Sequence, residues 1–210
     1  MKILLLSIMF KCIFSILPKK HVFYSKYYKK LHITPSHMQT KMWRQQQPWY
    51  IDGKRNECET YQKKLIKKIT NHELEKTNKR IHIHSKQLYD VKHPMKGVNG
   101  FDYTENFDGI LKNINKEYYF NLKVICNNGG AQVRSLRNVY HFVSYQLEHL
   151  LQCTEDIQYT HFINILDGDM SYKNMEKFLF LLDKDEYKNV QENIFIGDMK
   201  QFQDHWCKYD

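Results

Sequence analysis

Acidic residues are absent from the first 50 positions of this 210-residue chain, which hold nine lysines and arginines. The other 160 residues contain 23 basic and 23 acidic side chains, so the net charge of +9 comes entirely from the N-terminal part. The neutral remainder excludes a domain that is basic over its whole surface. Any anion-binding site in this part must therefore be formed by a small group of basic residues rather than by the charge of the whole domain.

Closely spaced cysteine pairs are absent as well. The five cysteines are odd in number and widely separated, with no C-x-x-C pair and no cysteine and histidine cluster at zinc-ligand spacing. This pattern argues against a disulfide framework and against a structural zinc site. We therefore expect free thiols and a reducing compartment, the cytoplasm or the interior of a host cell.

The chain also lacks an apolar run long enough for a standard membrane span. Its apolar N-terminus, MKILLLSIMFKCIFSILPKK, is interrupted by Lys11 and is not followed by a small-residue cleavage site. An unstructured extension, a signal or surface anchor, and a core helix are three interpretations of this segment. We assign residues 1–48 to a basic, partly apolar N-terminal extension and 49–210 to one domain, and we expect no membrane partner.

A composition that is 42% hydrophobic supplies a core for this domain, and the apolar periodicity predicts a mixed α/β fold. Helices are predicted over about 56–71, over 133–151 and from Ser171, which is the predicted N-cap. Strands are predicted in RIHIHS, NGFDYTENFDGIL, YYFNLKVI, THFINIL and NIFIGD. The second and third of these strands are expected to form an antiparallel hairpin.

The strand YYFNLKVI carries a lysine, Lys123, in its middle. Because side chains alternate along a strand, Asn121 lies on the same face as Lys123. On the preceding strand Asp108 shares a face with Asp102, and the hairpin can bring Asp108 beside the other two. A carboxylate and an amide oxygen can bind a hard cation, and a neighbouring lysine can hold a phosphate or orient a water. An ordinary surface salt bridge is the alternative.

The segment CNNGGAQVRSLR follows this strand with two glycines and the start of a helix. Helix N-termini and arginines both favour phosphate oxygens, and Arg134 and Arg137 are spaced to share one helical face. Gln132, Arg134 and Arg137 are therefore the candidates for contacts to nucleic-acid phosphates. The alternative is a turn after a strand with two solvated arginines.

Together the segments GFDYTENFDG, YYFNLKVI, GGAQVRSLRNVYHF and FINILDGD resemble type II restriction endonucleases of the PD-(D/E)-x-K nuclease fold, found in bacteria and in some large DNA viruses. The resemblance covers roughly 49–206 and implies a restriction-endonuclease-like mixed sheet flanked by helices. It also implies site-specific, Mg²⁺-dependent hydrolysis of double-stranded DNA by a homodimer whose symmetry mirrors a palindromic site. A cognate DNA methyltransferase would be a further partner.

The resemblance assigns roles to individual residues. Glu59, or Glu57, matches the glutamate on the helix that precedes the hairpin. Asp108 matches the metal-binding aspartate, and Lys123 matches the strand lysine that positions the attacking water or the phosphate. Mg²⁺ would then be held by Asp108, Glu59 and the residue two positions before the lysine.

That residue, Asn121, stands where the family usually has Asp or Glu. An amide oxygen can ligate Mg²⁺ but carries no charge, so metal affinity should be weaker. Either Glu59 or Glu105 compensates, or the chain is a lapsed nuclease that binds DNA without cutting it. If nothing compensates, an Asn121→Asp substitution is expected to strengthen Mg²⁺ binding.

A glycosyltransferase is a second, unrelated hypothesis. The segment ILDGDM places Asp167 and Asp169 in a D-x-D pattern after a strand, as in metal- and nucleotide-sugar-dependent glycosyltransferases. No glycine-rich nucleotide-binding turn follows an early strand. An Asp-Gly turn at a strand end accounts for the same residues.

Overall fold

The computed structural model describes residues 57–91, 100–126, 129–153 and 157–206, and the predicted N-terminal extension lies outside these ranges. Within them the chain is a mixed α/β domain with a four-stranded mixed sheet flanked by helices and a separate two-stranded sheet. The predicted α/β class is confirmed at this level.

Helices and strands alternate through the second half of the described chain. The helices are α1 (Glu57–Thr70), α2 (Gly130–Gln152), α3 (Asp169–Leu182) and α4 (Met199–Trp206). The strands are β1 (Lys79–Ile81), β2 (Leu88–Asp90), β3 (Gly109–Lys112), β4 (Glu117–Val124), β5 (Thr160–Asp167) and β6 (Ile194–Gly197). Short 3₁₀ turns occupy Gly100–Asp102, Asp185–Tyr187 and Gln191–Asn193.

The main sheet has the strand order β3-β4-β5-β6. β3 and β4 form the predicted antiparallel hairpin, whereas β4, β5 and β6 run parallel. Parallel neighbours need crossover connections, and α2 and α3 supply them. The carboxyl ends of β4, β5 and β6 consequently meet at one edge of the sheet.

Both faces of β4 are buried, which explains its nearly continuous apolar sequence. Phe120 and Leu122 pack in the core with residues of α1 and α4, including Ile66 and Phe202. On the opposite face Tyr119 is part of an aromatic cluster. The cluster consists of the rings of Phe107, Tyr119, Phe142 and Phe162, and the centroids of contacting rings are 4.9–5.8 Å apart.

The first strand of the hairpin is shorter than predicted. It begins at Gly109, and Asp102 lies in a 3₁₀ turn, so the expected alternation from Asp102 to Asp108 is wrong. The intervening segment runs beside β1 instead, where the Thr104 N–H donates to the Ile81 carbonyl at 2.9 Å. Asp108 reaches the sheet only because it directly precedes β3.

One helix prediction also needs correction. The predicted N-cap Ser171 is fully buried in the first turn of α3, and Gly168 is the actual N-cap. Gly168 has a φ of +103°, and a Cβ there would lie 2.4 Å from the Ile125 carbonyl oxygen, so only glycine fits. The sequence patterns did not predict α4 or β2.

Other expectations concern thiols and membranes. No disulfide bond joins Cys58, Cys126 and Cys153 to one another, and the two remaining cysteines lie outside the described ranges. In the part of the chain that the structure describes, no helix has the length and apolar character required to cross a bilayer.

Candidate functional site

Asp108 is held at the edge of the sheet by two hydrogen bonds. Its backbone N–H donates to the Phe120 carbonyl at 2.8 Å, and its Oδ2 accepts from the Leu122 N–H at 2.6 Å. These partners are the two neighbours of Asn121 on β4. The carboxylate is therefore fixed beside that stretch of the strand before any substrate binds.

Lys123 has the acidic partner that a lysine in an apolar strand requires. Its Nζ lies 3.2 Å from the Glu105 Oε2, and only 21% of the lysine side chain is exposed. Glu105 comes from the segment that leads into Asp108. The structure thus brings Glu105, Asp108 and Lys123 together at the carboxyl end of β4.

The charged groups around Asp108 have opposing effects on its pKa. Burial is the main reason that the pKa of Asp108 is raised to about 6, and the carboxylates of Glu59 and Glu105 act in the same direction. Lys123 and the Leu122 N–H act in the opposite direction and lower this pKa. Of the two glutamates predicted on α1, it is Glu59 that acts on Asp108. Glu59 also forms an ion pair with Lys63, with 2.6 Å between Oε1 and Nζ.

Asn121 is almost completely buried on the α2 side of the sheet. Its Nδ2 donates to the Asn164 Oδ1 on β5 at 3.0 Å. Asn121 therefore belongs to a polar network inside the domain as well as to the strand that bears Lys123.

Gln62 is a site residue that the sequence patterns did not reveal. It is 1% exposed, and its Nε2 donates to the Asp167 Oδ2 at 2.8 Å and to the Lys123 carbonyl at 3.3 Å. Gln62 follows Glu59 by three residues, close to one helical turn. It fastens α1 to the end of β4 and so holds Glu59 near Asp108. A glutamine on the apolar face of α1 was the only sequence signal.

The residues predicted to contact phosphates lie at the start of α2. Arg134 and Arg137 are exposed, and Gln132 is half-buried in the first turn. A Cβ built on Gly129 or Gly130 would meet nothing within 4 Å, so packing inside the chain does not require these glycines. They leave the N-terminus of α2 open to close approach from outside, shortly after Lys123 in the chain.

Asp167, the first acid of the D-x-D pattern, is fully buried. Its Oδ1 accepts from the Met199 N–H at 3.0 Å, and its Oδ2 accepts from Gln62. Burial raises its pKa to about 6. A carboxylate enclosed in this way cannot reach a nucleotide-sugar metal complex without rearrangement, which disfavours the glycosyltransferase hypothesis.

Asp198 is a second buried acid, at the end of β6. Its Oδ1 accepts from the Lys200 N–H at 2.9 Å and from the Gln201 N–H at 2.8 Å, so it caps α4. Burial, together with the neighbouring Asp167 carboxylate, raises the pKa of Asp198 to about 7. The capping acid consequently titrates near neutral pH.

An Asp198→Asn variant should show a weaker gain of stability on acidification. The folded-state pKa of about 7 lies above the ordinary value of 3.8, so the folded state binds the extra proton and stability falls as pH rises through this window. Between pH 5 and pH 8 the wild type should lose about 2–3 kcal/mol relative to the variant, which keeps the cap. Urea unfolding of both proteins at the two pH values measures this difference.

Asp183→Asn is the matched control for this experiment, because it makes the same chemical change away from Asp198, at an exposed residue at the C-terminus of α3. The control should follow the wild type at both pH values. Parallel pH profiles for Asp198→Asn and the wild type would contradict the assignment. The comparison between proteins is essential because His149 and His161, whose pKa values burial lowers, oppose the trend.

Comparison with known proteins returned no match among family models, curated proteins or solved structures. Within the described ranges, no three histidine, cysteine, aspartate or glutamate side chains form a group that could hold a metal ion. The chemistry of the site itself is therefore the basis for inferring a function.

Proposed function

We propose that this chain is a site-specific, divalent-metal-dependent endonuclease that hydrolyses phosphodiester bonds of double-stranded DNA and has a restriction-endonuclease-like fold. The observation that carries the proposal is the position of Asp108, fixed by the Leu122 N–H beside Lys123 and within the field of Glu59 and Glu105. A carboxylate that can hold a metal ion, beside a lysine that can orient water or a phosphate, suits metal-assisted phosphodiester hydrolysis.

The oxygen atoms of the side chains at this position are of the kind that Mg²⁺ prefers. Asp108, Glu59 and Asn121 offer only oxygen, and the repulsion among the carboxylates would be relieved by a cation. Mg²⁺ in proteins commonly keeps several waters and uses one or two carboxylates plus substrate phosphates, so the small number of protein donors is no obstacle. When bound, the ion would lower the pKa of a water and offset charge on the scissile phosphate.

The side chains around Asp108 have separable roles in this proposal. Lys123 orients the attacking water or a phosphate oxygen and returns to Glu105 when no DNA is bound. Glu59 assists Asp108 directly or through water. Gln62 keeps α1, and with it Glu59, in place.

DNA would approach the carboxyl end of β4 and the start of α2. Arg134, Arg137 and Gln132 would contact backbone phosphates there, and the two open glycines would allow the backbone to come close. Cutting both strands of a palindrome requires two active sites, so the functional unit would be a homodimer. A DNA methyltransferase that protects the same sequence would complete such a system.

Digestion of plasmid DNA with Mg²⁺ or Mn²⁺, followed by mapping of the ends, tests the proposal. Discrete fragments with constant ends are the expected result. Salt-sensitive binding without cleavage in any metal would instead establish the lapsed nuclease, which the amide at Asn121 favours as the second candidate. Absence of both cleavage and binding would refute the proposal.

Single substitutions of Arg134 and Arg137 by alanine should weaken DNA binding without changing sequence preference. Removal of one arginine–phosphate interaction should reduce the slope of log K against log salt by about 0.9. Titrations of each variant at several salt concentrations measure this slope. Lys188→Ala, which removes an exposed charge paired with Asp185, is the control and should leave the slope unchanged. Equal slopes for all four proteins would exclude these arginines as phosphate contacts.

A further inference from the structure

Three buried amides form a network on the α2 side of the sheet. Asn121 on β4, Asn164 on β5 and Gln146 on α2 are each at most 1% exposed, and the sheet register pairs Asn121 with Asn164. The Asn164 Oδ1 accepts from Asn121 at 3.0 Å and from Gln146 at 3.2 Å. Its Nδ2 donates to the Gln146 Oε1 at 2.7 Å and to the Phe195 carbonyl at 3.3 Å. These four bonds use the whole capacity of an amide.

The Phe195 carbonyl decides which way round the Asn164 amide lies. A backbone carbonyl oxygen can only accept, so Asn164 must direct its nitrogen toward Phe195 and its oxygen toward β4. That oxygen needs a donor from β4, and the Asn121 amide nitrogen provides it. Gln146 cannot set the direction, because its own amide can turn to match either orientation of Asn164.

We propose that Asn164 is a positioning residue that holds the Asn121 amide with its nitrogen toward the domain interior and its oxygen toward the site at Asp108 and Lys123. The amide group is planar, so a nitrogen bound to Asn164 leaves the oxygen on the opposite branch. Among the described residues, none donates a hydrogen bond to that oxygen. Asp108 is bonded to both neighbours of Asn121, which places its carboxylate next to this position.

The inference rests on the proposed nuclease function and explains how a neutral ligand can serve in place of a charged one. The fixed orientation of the Asn121 oxygen would compensate for its lack of charge. That orientation is set by a chain of hydrogen bonds that runs from Asn121 through Asn164 to the Phe195 carbonyl. It also reverses the expectation for Asn121→Asp. An aspartate would set a carboxylate oxygen against the Asn164 oxygen with no donor between them, so this variant should lose stability rather than gain metal affinity.

Mn²⁺ binding to the DNA-free protein, measured by titration calorimetry, tests the role of Asn164. Asn164→Leu removes the acceptor that holds Asn121 and should weaken Mn²⁺ binding by about 10-fold, as loss of an outer partner of a metal ligand commonly does. Gln146→Met is the matched control. It breaks the same buried network but leaves Asn164 fixed by Phe195, so its Mn²⁺ affinity should stay within about twofold of the wild type.

The double variant Asn164→Leu/Gln146→Met guards against a folding defect. Replacing both members of a hydrogen-bonded pair by apolar side chains costs less stability than replacing one. The double variant should fold and still bind Mn²⁺ as weakly as Asn164→Leu. Equal Mn²⁺ affinity in all four proteins, or equal losses in Asn164→Leu and Gln146→Met, would overturn the proposed role.

A second readout separates failure of this inference from failure of the proposed function. If the DNA-free wild type binds no Mn²⁺, plasmid digestion decides the proposed function, and hydrogen exchange of the Asn121 side-chain NH₂ group, followed by NMR, decides the orientation. Slow exchange in the wild type and in Gln146→Met, with fast exchange in Asn164→Leu, would support it. The same exchange rate in all three proteins would overturn it.

Discussion

Asp108→Asn is expected to reduce DNA cleavage on the order of 10³-fold or more, because it removes the principal charged oxygen of the site. The asparagine oxygen can still accept from the Leu122 N–H, so the local fold should survive. Stability at pH 8 should not fall, because burial already disfavours the ionised acid, whose pKa is raised to about 6. Cleavage rates, DNA affinity and thermal unfolding together measure these effects.

Asp102→Asn is the control for this substitution, since it makes the same chemical change in the 3₁₀ turn six residues upstream. It should cut DNA like the wild type. DNA binding by Asp108→Asn should be retained or tightened, because a negative charge near the phosphates is gone. Undiminished cleavage by a folded Asp108→Asn protein would remove the basis of the proposed site.

Lys123→Met should lower cleavage by about 10²–10⁴-fold, the contribution typical of a group that positions or activates the attacking water. Methionine keeps much of the apolar stem of the lysine, so the packing around β4 is preserved. The loss of the ion pair with Glu105 should cost little stability, because Glu105 is exposed. Single-turnover cleavage at saturating enzyme separates this loss from a loss of DNA affinity.

Lys112→Met supplies the matched control for Lys123→Met. Lys112 forms an ion pair with Glu117 across the same hairpin, with 2.9 Å between Nζ and Oε1. Both variants lose one positive charge and one ion pair, but Lys112 is at the other end of the hairpin from Asp108. If the two variants lost activity equally, the effect would come from general electrostatics and the role of Lys123 would be refuted.

Much of the fold could be predicted from local patterns. The apolar stripe predicted a helix over 133–151, and α2 spans Gly130–Gln152. The buried strand THFINIL corresponds to β5, and YYFNLKVI to β4. The hairpin was predicted with too long a first strand, because the polar alternation before Asp108 reflects pairing with β1 rather than with β4. Such a partner is set by contacts distant in sequence.

The candidate site was predicted only in part, for the same reason. Asp108, Asn121 and Lys123 were found because they share one hairpin, whose pairing follows from neighbouring turns. Gln62 and Asn164 were missed because each acts through residues far along the chain. Gln62 bonds to Asp167, and Asn164 bonds to Asn121 and Phe195.

The sequence by itself determined the α/β class, the order of the main elements and the pairing of the strand that contains Lys123 with the turn that contains Asp108. These features depend on periodicity and on turn residues, which act over a few positions. Only the tertiary structure decided that Lys123 pairs with Glu105 and that Asp167 is fully buried. It also decided that the Asn121 amide nitrogen, rather than the oxygen, is hydrogen-bonded to Asn164. Those outcomes depend on which buried polar groups must satisfy one another across separate elements, and a linear pattern does not contain that requirement.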